Sequence, residues 1–176
     1  MKWLPFKHGG KVYDLSHLYP CTLEYNRPGE GNKQAEVYKV EVTYTLHCFS
    51  RELKPDETCG DDLMYTDGYE RRVFDFRRFE LSKLLPGIIQ TLPDRKPYHN
   101  NNRRNYFTVE VVVENGSTVE YDIFFKVKKK AKSRLEMIVE TAFVRDPGYD
   151  STRPNGKPIR FWIILHNTMN NKKISI

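Results

Sequence analysis

Val37-Tyr38-Lys39-Val40-Glu41-Val42-Thr43-Tyr44-Thr45-Leu46-His47-Cys48 decides how this chain is read. Tyr38, Val40, Val42, Tyr44, Leu46 and Cys48 fall on one side, and Lys39, Glu41, Thr43, Thr45 and His47 on the other. A period of two places one row on a core and the other in solvent, so the run predicts a half-buried strand. Cys21–Tyr25 is its expected antiparallel partner. The segment between them, residues 26–33, is rich in turn formers and long enough for an open hairpin loop.

Working outward, Arg51 to Gly68 carries Pro55, Gly60 and a cluster of acids, which predicts a long surface loop with a short strand near Leu63–Tyr65. From Glu70 the period changes. Val73, Phe76, Leu84, Leu85, Ile88, Ile89 and Leu92 approach one helical face, predicting one principal helix over 73–85 and a second turn starting at Pro86. The last seventy residues predict a four-stranded antiparallel meander: Tyr106–Val113, Val119–Lys128, Leu135–Val144 and Ile159–Asn167. Asn115-Gly116 suits a type I′ turn in the first hairpin. The fold class is therefore α+β, with a predominantly antiparallel sheet built from the C-terminal meander and an N-terminal hairpin. One domain is expected over 1–176, with 1–69 as the hairpin and loop region and 70–176 as helix plus meander.

Composition narrows the function. With 176 residues and 29 basic against 23 acidic side chains, the formal charge is +6, which favours an anionic partner. Cys21, Cys48 and Cys59 form no secreted disulfide framework, so a reducing cytoplasm is the expected location. Proline, lysine and glycine interrupt the first ten residues, and no apolar run is long enough to cross a bilayer, so no membrane partner is expected. There is no nucleophile elbow, no glycine-rich phosphate loop and no Cys-x-x-Cys pair, which argues against hydrolase triads, nucleotide-driven chemistry and a cofactor. His47 and Cys48 are strand neighbours pointing to opposite faces, so no metal site is assigned.

Two stretches carry usable chemistry. Pro97-Tyr98-His99-Asn100-Asn101-Asn102-Arg103-Arg104-Asn105-Tyr106 combines a histidine that can exchange a proton near neutral pH with an arginine pair able to grip phosphate oxygens. Lys126, Lys128, Lys129 and Lys130 crowd the second hairpin beside aromatic residues, an electrostatic track for RNA with Tyr106 placed to stack a base. Thr141 on the third strand and His166 at the end of the fourth are further site candidates if those strands bring them to His99.

A helical segment followed by a four-stranded meander, with a histidine where the meander begins and Val139-Glu140-Thr141-Ala142-Phe143 in its third strand, resembles the barnase/EndoU/colicin-type toxin nucleases over about residues 70–170. The resemblance implies a metal-independent endoribonuclease in which His99 is the acid/base, Arg103 and Arg104 clamp the phosphate and Thr141 supplies a hydroxyl. It does not account for the N-terminal hairpin. Over its whole length, through Val12-Tyr13-Asp14-Leu15-Ser16-His17-Leu18, Leu46-His47-Cys48-Phe49 and Ile164-Leu165-His166-Asn167-Thr168, the chain is also similar to uncharacterised bacterial stationary-phase growth adaptation proteins. The expected function is RNA cleavage by a toxin-like or phage-related nuclease, with RNA and a cognate inhibitor as partners. The alternative is a non-enzymatic module that binds nucleic acid or protein through the same basic sheet.

Overall fold

A computed structural model describes residues 2–31, 34–99, 105–112, 116–145 and 156–174. In chain order the elements are β1 (Phe6–His8), β2 (Lys11–Tyr13), β3 (Cys21–Arg27), β4 (Glu36–Tyr44), β5 (Ser50–Arg51), β6 (Met64–Thr66) and β7 (Arg71–Phe74). Then come α1 (Phe76–Ser82), α2 (Leu85–Gln90), β8 (Tyr98–His99), β9 (Asn105–Val112), β10 (Thr118–Ala131), β11 (Arg134–Val144), β12 (Lys157–Pro158) and α3 (Phe161–Met169).

The opening strand forms as its alternation requires. Tyr38, Val40, Val42 and Tyr44 are buried on one face of β4, and β3 pairs with it antiparallel, Tyr25 opposite Tyr38. The strand stops at Tyr44, short of the expected Cys48. Thr45 turns the chain, its side chain accepting from His47 N and donating to Glu140 O at 2.6 Å, and Leu46–Cys48 becomes a 3-10 turn that still buries Leu46 and Cys48.

The largest correction concerns the sheet. β9, β10 and β11 form an antiparallel meander, but the fourth expected strand, Ile159–Asn167, is mostly the helix α3. Phe161-Trp162-Ile163-Ile164-Leu165 is apolar without interruption, and such a run satisfies either period. Phe161, Ile164 and Leu165 are buried at helical spacing while Ile163 lies 41% exposed, so the period of 3.6 prevails. In place of a fourth meander strand, β11 takes β4 as a parallel neighbour, Leu135 opposite Val40 and Val139 opposite Tyr44. The outcome is one seven-stranded mixed sheet in the order β12-β8-β9-β10-β11-β4-β3, which incorporates the N-terminal hairpin. A separate three-stranded antiparallel sheet, β5-β7-β6, stands beside it.

The helix expected over 73–85 begins later. Val73 lies in β7, and Asp75 caps α1 by accepting from Arg78 N at 2.9 Å. Pro86 sits in the first turn of α2, where its missing N–H costs nothing. Among the described residues the α-helical content is thus three short helices, not one principal one.

The buried face of the large sheet carries Tyr25, Val40, Met137, Val139, Ile123 and Phe125, covered by Leu85, Ile89, Phe161, Ile164 and Leu165. Two long-range contacts fix the cover: Tyr25 donates its hydroxyl to Ile89 O at 2.8 Å and stacks edge-on against Phe161 at 5.0 Å. A second aromatic group holds the smaller sheet, with Phe6 and Phe74 stacked at 4.0 Å and Trp3 edge-on to Phe49 at 5.3 Å.

Candidate functional site

The sheet register separates the residues expected to converge. His99 lies opposite Asn105 and Asn105 opposite Phe125, which places His99 on the buried face, 5% exposed, with Nδ1 2.7 Å from Asn105 Oδ1. Thr141 lies opposite Phe124 because β11 bulges between Val139 and Thr141, so its side chain occupies the other face. Three strand steps also separate them, about 14 Å at about 4.8 Å per step. Tyr106 shares the Phe124 side and is 5% exposed. Arg103 and Arg104 lie outside the described residues, as does Asn115 of the expected turn.

The lysine track is largely charge-balanced. Lys126 pairs with Glu140 at 2.5 Å, Lys130 with Glu41 at 2.8 Å, and Lys128 lies opposite Glu136 across the hairpin, while Lys129 lies opposite Leu135. Lys39 pairs with Glu24 at 3.1 Å in the neighbouring ladder. The Lys130 bond holds the Glu41 carboxyl below its ordinary range. These pairs cancel most of the field that a phosphate chain would meet, although each exposed pair contributes little to stability. A cleft of about 410 Å³ at this tip, lined by Thr22, Lys39, Glu41, Ser133 and Arg134, shares the mixed charge.

His166 lies elsewhere, in a denser constellation. The last turns of α3 place its ring over the loop end of the β3–β4 hairpin, on the face that the helices cover. Its Nδ1 is 3.3 Å from the Tyr38 hydroxyl and 3.7 Å from Glu36 Oε1. Tyr38 donates to Glu36 Oε2 at 2.6 Å, and Arg27 donates to the same oxygen at 3.2 Å. Arg27 and Glu36 are cross-strand partners, and Tyr38 is two residues along, so all three share one face. The Tyr38 bond is the main cause of a lowered Glu36 pKa, with His166 and Arg27 adding to it. Burial, reinforced by that carboxylate, pushes the Tyr38 phenol up to about 12, so it remains a donor at neutral pH. Glu36 and His166 keep 42% and 36% of their side chains exposed.

A carboxylate, a phenol, an imidazole and a guanidinium thus meet at a solvent-accessible edge. Thr141 is at the far end of the β4–β11 ladder from Tyr38, about 20 Å along the strand, so neither it nor His99 joins the group. Sequence reasoning found His166 but missed Glu36, Tyr38 and Arg27. The hairpin register, once Tyr25 is set opposite Tyr38, pairs Arg27 with Glu36 and was a readable signal; the approach of α3 was not. Among the described residues, no group of three or more His, Cys, Asp or Glu side chains is placed to hold one metal ion. None of the described helices is long and apolar enough to cross a membrane.

Fold and site together define a mixed-sheet α+β protein with a histidine–carboxylate–arginine cluster at one sheet edge. The chain belongs to the YjaZ family, whose family model matches residues 5–169. It is similar to Protein YjaZ of Escherichia coli (strain K12), with 30% identity over 176 residues that cover 98% of this chain and 94% of that protein. No solved structure matches.

Proposed function

We propose that this chain is a cytoplasmic, metal-independent ribonuclease whose proton-transfer pair is Glu36 and His166. The observation that carries the reading is the meeting of an ionised carboxylate, an imidazole and a guanidinium within 3.7 Å at an exposed edge. RNA needs little more, because it brings its own nucleophile. Glu36 takes the proton of a ribose 2′-hydroxyl as the 2′-oxygen bonds to phosphorus. The bond from phosphorus to the 5′-oxygen breaks, and His166 in its protonated form gives that oxygen its proton. The products are a 2′,3′-cyclic phosphate and a free 5′-hydroxyl. Arg27 turns its guanidinium from Glu36 to the non-bridging oxygens, where negative charge grows in the transition state. In this reading the acid–base role expected of His99 passes to His166.

The test is incubation of purified protein with a broad panel of RNAs in chelator, with the ends of any products determined by mass spectrometry. Cyclic-phosphate ends are expected, with the rate falling about 100-fold or more in His166→Ala and in Glu36→Gln. An intact panel, or unchanged rates in both variants, overturns the proposal. RNA retained without cleavage, with affinity falling steeply as salt rises, would identify a binding module instead.

A further inference from the structure

Four strand steps from β4, on the opposite flank of the large sheet, lies a cleft of about 400 Å³ lined by Arg95, Lys96, Tyr98, Tyr106, Phe107 and Thr108. We infer that this cleft binds a nucleoside phosphate, with its base stacked on Tyr98 and its phosphate held by Arg95 and Lys96. The inference is independent of RNA cleavage at Glu36 and His166, from which the cleft is separated by about 19 Å of sheet.

Three observations carry it. The first is a row of rings along the sheet face. Phe143 and Phe124 stack at 5.9 Å and 6°, Phe124 and Tyr106 at 5.5 Å and 24°, and Tyr106 and Tyr98 at 5.3 Å and 17°. Phe124 and Tyr106 are only 7% and 5% exposed, whereas Tyr98, the terminal ring, is 40% exposed. The row therefore ends at Tyr98, opposite Pro158 of β12, in a ring that still keeps open surface on which a flat base can stack.

The second is charge without a counter-charge. Neither Arg95 nor Lys96 is paired with a carboxylate among the described residues, in contrast to Lys126 and Lys130. Arg95 is also positioned, its Nε and one terminal nitrogen donating to Thr91 Oγ1 at 3.3 and 3.2 Å and its guanidinium lying 5.9 Å from the Phe107 ring. Asp122, which Thr108 of the lining contacts, is fully buried and neutralised, accepting from Thr108 at 2.5 Å and from Arg145 at 2.7 and 3.1 Å. The described lining thus offers an anion two cations and itself contains no carboxylate.

The third is an open strand edge. β8 meets β9 only at Tyr98–Tyr106 and His99–Asn105, its other edge being taken by β12, so among the described residues β9 has no partner on that side beyond Tyr106. The β9 backbone at Phe107 and Thr108 borders the cleft, and its free polar groups match the polar edge of a base. An extended peptide could use that edge too, but it has no need for the ring stack beside two cations.

Calorimetric titrations with adenosine 5′-monophosphate, uridine 5′-monophosphate, inorganic phosphate and a 2′-deoxy oligonucleotide test the inference. The deoxy strand lacks the internal nucleophile, so binding is read without cleavage. Nucleotides are expected to bind more tightly than phosphate. Tyr98→Ala should weaken them about 10-fold, and Tyr98→Phe should restore them. Arg95→Ala with Lys96→Ala should weaken them and flatten the salt dependence, and both effects should persist in a His166→Ala background, where the other site is disabled. A deoxy strand binding no better than a mononucleotide identifies a free nucleotide as the occupant; a stronger strand identifies a unit of a single-stranded chain. Phosphate binding as well as the nucleotides, or Tyr98→Ala and the double variant binding like the parent in the His166→Ala background, overturns the inference.

Discussion

Tyr38 donates its phenolic hydrogen to Glu36 at 2.6 Å while the same oxygen lies 3.3 Å from Nδ1 of His166, a residue 128 positions further along the chain. One hydroxyl therefore joins a strand to the last helix and sets the ionisation of the carboxylate between them.

Replacing that hydroxyl should move a titration. The Tyr38 bond is the leading cause of the lowered Glu36 pKa, so in Tyr38→Phe the pKa rises toward its ordinary value. The carboxylate then protonates at a higher pH as acid is added, and the acidic limb of the proposed RNA-cleavage profile shifts upward with it. Carbon-detected NMR of the Glu36 carboxyl reads the shift directly, and a curve superimposable on the parent's would contradict it.

Tyr121 presents the opposite case. Its ring is fully buried on the helix-covered face, and its hydroxyl has no hydrogen-bond partner among the described residues. A buried polar group without a partner costs about 1–3 kcal/mol, so Tyr121→Phe should raise stability by about 1 kcal/mol or more. Urea unfolding would show a higher midpoint at constant slope.

Acid should loosen the β5 region through Glu57. Arg51 donates to both of its carboxylate oxygens, and with the Lys54 amide this lowers the pKa from 4.5 to about 2. A depressed folded-state pKa stabilises above the unfolded value and loses that contribution as pH falls from about 4.5 to about 2. Glu57→Gln should flatten the decline in melting temperature across that window and leave the rest of the profile parallel to the parent's.

The three thiols should react in order of access. Cys48 is fully buried, desolvation pushes its pKa up to about 12, and its sulfur lies 3.6 Å from Val139 O. Cys21 is exposed and Cys59 half-buried. Iodoacetamide on native protein should label Cys21 and Cys59 and reach Cys48 only with unfolding, which peptide mass mapping resolves. Labelling of Cys48 at the rate of Cys21 would contradict this burial.

Local periodicity carried much of this fold. The β3–β4 hairpin, the three meander strands and the break at Pro86 all follow from patterns that a few neighbouring residues complete. Phe161–Leu165 did not, because five consecutive apolar residues carry no period. The parallel pairing of β4 with β11 was illegible for a different reason: nothing near Val40 encodes a preference for Leu135 over another strand. The site divided along the same line. Arg27 beside Glu36 is hairpin arithmetic, whereas His166 reaches them only through a helix that was read as a strand. The facing of Lys128 by Glu136 was available from the hairpin register, but counting the basic run alone concealed it, whereas Lys126, opposite Ile138, meets Glu140 only at the β11 bulge.

The parallel junction also sets a timetable. Thr45 hydrogen-bonds to Glu140, 95 residues away, and β4 acquires its second neighbour only when β11 exists. During synthesis the early hairpin emerges with one flank unsatisfied and stays so until most of the chain has left the ribosome. Contacts of such sequence separation slow folding, since a long loop must close before any of them forms. The nascent chain is thus most vulnerable to adventitious strand pairing through the middle of its translation, when a chaperone that shields the β4 edge would matter most.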